Sequence, residues 1–390
     1  MNIIEESNKY VLNTYTRYPL VFDRGEGAWI YTVDNKKFLD MSSGIAVSSL
    51  GHSHPAIIKA IENQSKKLLH TSNLYYTEPY VKLAKKLVGK SVFGKVFFCN
   101  SGAEANETAI KLTRRHGKKT GNNKYEVITL KKSFHGRTMA TLSATGQDKF
   151  HKGFEPLLEG FKFVELNNVS ELKNNVNEKT SAVIIEPIQG EGGIHTALKE
   201  FIHAARELCD KYDALLIFDE VQSGIGRTGK LFGYEHFLPV EPDAVTLAKG
   251  LGGGMPIGAV LIKEKYADLL GPGDHASTFG ANPVCCAAAN AVLDTIDNEN
   301  LLESVTNLGK YFRDKLNELK KDHPCIIDVR GMGLLNGIEI NYEAKELIKK
   351  LMDNFIIAVP AGSNVVRFLP PLIVAKEEID IVIETLKKIL

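Results

Sequence analysis

Seven short runs of almost uninterrupted apolar residues divide the middle of this sequence: KVFFC (95–99), EVITL (126–130), FKFVEL (161–166), SAVIIE (181–186), ALLIFD (214–219), AVTLA (244–248) and GAVLI (258–262). None alternates apolar with polar residues, as a strand with one wet face does. Continuous apolar character fits strands covered on both faces. Between several runs lie stretches with helical spacing, such as LKEFIHAARELCDKYD (198–213). Strands separated by helices imply βαβ units, and so an α/β domain around a mainly parallel seven-stranded sheet.

The two ends read differently. DRGEGAWIYTVDNKKFL (23–39) has the pattern of a hairpin turning at Asp34-Asn35. Beyond about residue 295, a helix (NLLESVTNLGKYFRDKLNELKK) precedes short strands near 326–340, 356–359 and 365–369. The expected organisation is a large domain over 51–295 and a smaller α+β domain assembled from both termini, 1–50 and 296–390.

Composition narrows the function classes. The 390 residues are 44% apolar, and 48 basic side chains against 47 acidic ones leave a net charge of +1. That balance argues against bulk attraction to nucleic acid or an anionic membrane, while leaving room for a local anion pocket. No stretch approaches the roughly 20 apolar residues of a membrane span. MNIIEESNKY, with two early glutamates, is not read as a secretory signal. The five cysteines are odd in number and match no metal or disulfide spacing. A reducing cytoplasm is the expected setting, with Cys285 and Cys286 as small buried residues of an Ala-rich helix.

In open parallel sheets, ligands bind beyond the carboxyl ends of the strands. Four of the apolar runs end in polar groups: KVFFC runs into NSGAEANE, SAVIIE ends at Glu186, ALLIFD at Asp219, and AVTLA runs into Lys249. Ser101 and Glu104 have capping-box spacing, so a helix is expected to start there. Gly102 would let a ligand approach the exposed amides, a natural anion site. Asp219 ends an apolar strand and needs a cationic or hydrogen-bonding partner; a structural salt bridge would also meet that need. Lys249 stands in TLAKGLGGGMPIGAV, otherwise apolar or glycine. It could snorkel to solvent. A desolvated lysine there would instead have a lowered pKa and suit a Schiff base. An amine, a carboxylate and an anion cradle together match pyridoxal phosphate, which needs one for its aldehyde, one for its ring nitrogen and one for its phosphate.

The chain resembles the class III pyridoxal-phosphate aminotransferases of fold type I, specifically the acetylornithine aminotransferase group. The resemblance runs through SSGIAVSSLGHSHP, CNSGAEANE, SFHGRT, EPIQGEGG, FDEVQSGIGRTGKL, LAKGLGGGMPIGA, STFGANP and VRFLPP. Ala276 and Ala281 replace glycines common in that family, and RGMGLLNGIEI is a variant of a looser motif. The resemblance implies roles. Lys249 would hold the cofactor aldehyde and shuttle the proton, and Asp219 would pair with the ring nitrogen. Gln222 would bond the ring hydroxyl, with Val221 and Phe134 on the two ring faces. Ser101, Gly102 and Ala103 would hold the phosphate. Thr278 would reach the phosphate bound by a partner subunit, which implies a homodimer. Arg137 would read the carboxylate of an acylated diamino acid, and Arg367 the α-carboxylate of glutamate or 2-oxoglutarate. Glu191 would neutralise Arg367 while the longer donor binds.

The implied reaction moves the terminal amino group of N2-acetylornithine to 2-oxoglutarate, giving N-acetylglutamate 5-semialdehyde and glutamate, a step of arginine biosynthesis. Ornithine aminotransferases commonly carry tyrosine at the position aligned with Gly44; glycine leaves room for an acylated donor. Ornithine, succinylornithine, succinyl-diaminopimelate and 4-aminobutyrate stay open as donors. So does a regulator that binds the cofactor without turnover, although no added DNA-binding domain is evident. GIGRTGKL (224–231) begins like a phosphate-binding loop but has Leu231 where Ser or Thr must ligate magnesium. His52 and His54 in GHSHP read as turn-stabilising rather than as zinc ligands, and no metal site is expected.

Overall fold

A computed structural model describes residues 2–120 and 124–390. Its centre is a seven-stranded sheet in the order Lys95–Cys99, Gly258–Ile262, Ala244–Leu247, Leu215–Asp219, Thr180–Ile185, Glu126–Leu130, Phe161–Val164. All seven apolar runs are therefore strands of one sheet. Six run in one sense. Gly258–Ile262 is antiparallel to both of its neighbours, Ala244–Leu247 and Lys95–Cys99. All five inner strands are buried at every position, which explains their largely apolar sequences.

Helices cover this sheet. Gly102–Lys119 follows the first strand, and Lys199–Lys211 precedes Leu215–Asp219. The helix at Gly102 is capped by Ser101, whose side chain accepts from Glu104 N. The box closes differently from expectation: the Glu104 carboxylate accepts from Asn100 N at 2.8 Å, one residue before the cap. Pro283–Asn298 buries Cys285 and Cys286 as expected.

Both termini contribute to one small sheet. The strands Phe22–Glu26, Trp29–Thr32 and Lys37–Asp40 form consecutive hairpins, and Ile356–Ile357 adds parallel to the third. The hairpin turn falls at Asp34-Asn35, where Asn35 takes a left-handed φ of 63°. A second sheet joins Ile326–Met332, Leu335–Ile340, Val365–Phe368 and Val359–Pro360, all antiparallel. Among the described residues, no helix is long and apolar enough to cross a membrane.

Candidate active site

The carboxyl ends of Lys95–Cys99, Thr180–Ile185, Leu215–Asp219 and Ala244–Leu247 share one edge of the central sheet. They open into a cavity of about 470 Å³. Its wall includes Ser101, Gly102, Ala103, Phe134, Arg137, Glu186, Glu191, Asp219, Val221, Gln222 and Lys249. Most residues singled out from sequence thus meet in one concavity, of a size usual for a small-molecule site.

Asp219 is 4% exposed and held at three points. Its Oδ2 accepts from Asn106 Nδ2 and from His135 Nδ1, each at 2.7 Å. Its Oδ1 accepts from Val221 N at 3.0 Å. The sequence reading does not single out Asn106 or His135. Both carried a signal: Asn106 lies one helical turn beyond Gly102, on the same face, and His135 sits between Phe134 and Arg137.

Lys249 follows the strand Ala244–Leu247 and opens a short 3₁₀ turn, Lys249–Gly252, with a left-handed φ of 43°. Its ammonium has no hydrogen-bond or ion-pair partner among the described residues. Burial pushes its pKa below the ordinary lysine value; Arg367 works the same way, while Glu191, Asp219 and Glu186 oppose it.

Ser101, Gly102 and Ala103 present the start of an 18-residue helix to the cavity. The amides of Gly102 and Ala103 have no protein acceptor among the described residues. Glycine is required at 102 because a Cβ there would lie 2.6 Å from Val221 Cγ1. Phe134 and Val221 both line the cavity.

Arg367 sits in the strand Val365–Phe368, 1% exposed. One amino group donates to Glu191 Oε1 at 2.7 Å, Gln222 Oε1 at 2.8 Å and the Gly190 carbonyl at 2.9 Å. The Arg367–Glu191 contact expected from sequence is therefore formed. Arg367 does not itself line the cavity; Glu191 and Gln222 do. Burial would raise the Glu191 pKa, but the charge and hydrogen bond of Arg367 outweigh it and hold the carboxyl below its ordinary value. The hairpin carrying Glu191 is pinned at Gly193, whose carbonyl accepts from Arg330 Nε at 2.6 Å. Arg137 is exposed and lies 3.9 Å from the centre of the Phe150 ring.

Two expected residues lie outside the cavity of this one chain. Thr278 is exposed on the surface. Gly44 is exposed within an unusual turn in which Ser43, Gly44, Ile45 and Ala46 all take left-handed φ angles of 48° to 65°. A run of left-handed residues is unfavourable by roughly 1–2 kcal/mol at each non-glycine position. The turn is fixed by Asp40, whose Oδ1 accepts from Ser42 N and Ser43 N, and by Ser43 Oγ, which donates to the Leu369 carbonyl. It delivers Val47 to the cavity wall.

The motifs set aside behave as ordinary structure. His52 pairs with Asp40 at 2.9 Å and His54 caps the helix Pro55–Ser65. Residues 224–231 form turns with no α-helix following, and the Arg227 guanidinium donates to the carbonyls of Leu334 and Pro370. No group of residues suited to hold a metal ion occurs among the described residues.

Known proteins share this sequence and this architecture. The family "Aminotransferase class-III" matches residues 10–390. The acetylornithine aminotransferase of Caldanaerobacter subterraneus subsp. tengcongensis is 50% identical over 390 residues, covering 100% of this chain and 99% of that protein. The acetylornithine aminotransferase of Methanocaldococcus jannaschii is 48% identical, covering 100% and 98%. Among solved structures, the ornithine aminotransferase of Toxoplasma gondii superposes with a TM-score of 0.95 at 32% identity, covering 99% of this chain and 93% of that one. The acetylornithine aminotransferase of Elizabethkingia anophelis gives 0.88 at 35%, covering 99% and 97%. With its strand-end lysine and acid facing a helix N-terminus, the chain belongs to the class-III aminotransferases. It is a pyridoxal-phosphate-dependent transaminase.

Proposed function

We propose that this enzyme moves the terminal amino group of N2-acetylornithine to 2-oxoglutarate, forming N-acetylglutamate 5-semialdehyde and glutamate. The observation that carries the reading is one cavity that joins Lys249, Asp219 and the free amides of Gly102 and Ala103 to the Arg367–Glu191 pair. The donor set suits pyridoxal phosphate: an amine with no partner among the described residues, a buried carboxylate fixed by three donors, and a helix N-terminus with N–H groups that meet no acceptor among them. When bound, the cofactor supplies an aldehyde for amines and a ring that withdraws electrons from the carbon losing its proton.

In this reading the protein groups divide the work. Lys249 Nζ would hold the cofactor's aldehyde and would serve as the base and acid that moves the proton; its lowered pKa makes the neutral amine accessible. Asp219, locked by Asn106 and His135, would face the cofactor's ring nitrogen. Phe134 and Val221 would pack against the ring and exclude water, and Ser101, Gly102 and Ala103 would hold the phosphate. Gln222 is assigned to the ring hydroxyl, and its amide oxygen already accepts from Arg367. Arg137 reads the donor's carboxylate. Arg367 reads that of glutamate or 2-oxoglutarate once Glu191 turns away. Because its hairpin is pinned by Arg330, Glu191 turns by side-chain rotation.

The donor choice rests on the two relatives at 50% and 48% identity and on glycine at position 44, in the turn that carries Val47 to the cavity wall. Free ornithine is the second reading, favoured by the TM-score of 0.95 to the Toxoplasma gondii ornithine aminotransferase. A donor panel compared by kcat/KM with 2-oxoglutarate decides between them. It should include N2-acetylornithine, succinylornithine, ornithine, succinyl-diaminopimelate and 4-aminobutyrate. Preference for free ornithine would overturn the Gly44 argument. Borohydride reduction of the holoprotein should fix the cofactor on the Lys249 peptide; a label elsewhere removes the mechanism.

The proposal includes a homodimer. Asn73 donates to the carbonyls of Ser277 and Gly280, joining two loops whose neighbours Leu74, Tyr75, Tyr76 and Phe279 are exposed. A second copy covering this face would bury those side chains and bring Thr278 to the partner's site. Residues 51–295 would be the cofactor-binding domain. The five free cysteines fit a reducing compartment such as the cytoplasm.

A further inference from the structure

The central sheet ends in two adjacent acids. Ile185 pairs with Phe218 in neighbouring parallel strands, so Glu186 and Asp219 leave the sheet side by side. Both line the cavity and both are buried. They are held differently. Asp219 receives three hydrogen bonds. Glu186 receives one, from Phe134 N to Oε2 at 3.0 Å, and its Oε1 has no protein partner among the described residues. Glu220, the next buried acid, shows what a purely structural carboxyl looks like here. Its two oxygens accept from Gly233 N and Tyr234 N, and it stays out of the cavity wall.

Two carboxylates this close do not both ionise readily. Three donors converge on Asp219 and one on Glu186, so Glu186 is the acid with less support for a charge. Burial, and next the Asp219 charge, push the Glu186 pKa well above the ordinary carboxylate value; Phe134 N and Lys249 only partly oppose this, and Glu191 adds to it. Arg137, His135, Asn100, Ser101, Asn106 and Gln222 are the other polar side chains on the same wall. A protonated Glu186 has an O–H to donate, and its Oε1 makes no hydrogen bond among the described residues.

We propose that Glu186 is a further cofactor-contacting residue, a neutral carboxylic acid that donates a hydrogen bond to bound pyridoxal phosphate beside Asp219. This rests on the reading that the cavity holds the cofactor with Asp219 as its ring partner. A neutral donor adds an attachment point without a second negative charge.

The test uses Glu186→Gln, which keeps a neutral donor, and Glu186→Leu, which removes it. Apoprotein titrated with pyridoxal phosphate should give a dissociation constant within about twofold of wild type for E186Q and roughly tenfold weaker for E186L, the loss of one neutral hydrogen bond. The pH midpoint of the bound cofactor's visible absorption should be unmoved in E186Q. The proposal fails if E186Q is as weak as E186L, which would mean that a charge is needed, or if E186L binds like wild type. Should E186L not fold, infrared spectroscopy decides. Holoenzyme at neutral pH should show a protonated-carboxyl band that is missing from E186Q. The difference spectrum is needed because Glu220, raised to about 8, carries such a band too. No difference band overturns the proposal. Borohydride labelling separates the two levels: an unlabelled Lys249 in wild type removes both readings, whereas normal labelling with the wrong variant pattern removes this one alone.

Discussion

Arg137 and Arg367 are assigned the same task, reading a carboxylate, in opposite surroundings. Arg137 is exposed at the cavity mouth, its guanidinium resting on the Phe150 ring with no acidic partner among the described residues. Arg367 is buried in a strand and already bonded to Glu191, Gln222 and the Gly190 carbonyl. The first is always available; the second must be released before it can read anything. An enzyme that admits two substrates of different length into one cavity needs this asymmetry. A permanently free buried arginine would attract the wrong end of the longer donor, and an exposed one needs no neutralising partner because water screens it.

The largest effect should come from Arg367→Ala. It leaves Glu191 without its cation, and truncating one member of a buried hydrogen-bonded charge pair costs about 2–5 kcal/mol. The kcat/KM for 2-oxoglutarate should fall on the order of 10³-fold, while the half-reaction with N2-acetylornithine, followed by cofactor absorbance, should lose far less. Equal losses in both halves would show that Arg367 serves the fold and not one substrate. Arg137→Ala should reverse the pattern more mildly. Loss of a charge-assisted hydrogen bond at about 1.5–3 kcal/mol predicts roughly 10- to 100-fold lower kcat/KM for the acylated donor. Glutamate should be nearly unaffected.

The asymmetry of the arginines was only half legible in the sequence. VVRFLPP announces a buried arginine by its apolar flanks, and the seven strands announce themselves because double-sided burial demands apolar residues throughout. The antiparallel sense of Gly258–Ile262 was hidden, because a strand covered on both faces has the same composition in either direction. The clamp on Asp219 was hidden for another reason. Asn106 and His135 come from a helix start and a loop, and only the packed sheet edge brings them within 2.7 Å of the carboxylate. The left-handed turn at 43–46 leaves no trace beyond Gly44, since it is fixed by contacts such as Ser43 Oγ to the distant Leu369 carbonyl rather than by the preferences of Ser43, Ile45 and Ala46.

Glu191→Gln sharpens the comparison further. It keeps an acceptor for Arg367 but removes the charge, so Arg367 should be freer. The ratio of kcat/KM for 2-oxoglutarate over N2-acetylornithine should rise by roughly tenfold, the weight of one charged hydrogen bond. A pH signature accompanies this. Because the folded Glu191 pKa lies below its ordinary 4.5, the pair's contribution to stability is present above that value and is lost as pH falls through the lower, folded one. The melting-temperature gap between wild type and E191Q should therefore be constant from about pH 6 to 8 and close below about pH 4.5. A gap that closes near neutrality would mean that Glu191 is not held ionised by Arg367.

The smallest expected effect probes the exposed arm alone. Phe150 carries the Arg137 guanidinium at 3.9 Å from its ring centre, and an exposed cation–π contact is worth about 0.5–1 kcal/mol. Phe150→Leu keeps an apolar side chain but removes the ring face, and should raise KM for N2-acetylornithine by about threefold with kcat unchanged. Ionic strength should separate the two arginines in the same assay. Raising salt from 0.05 to about 0.5 M shortens the screening length to a few ångströms and should weaken donor binding through exposed Arg137. The buried Arg367 contact should hardly respond. If both substrates weaken alike with salt, the difference in burial between the two arginines does not govern how they bind carboxylates. The division of labour between an open reader and a gated one would then have to be abandoned.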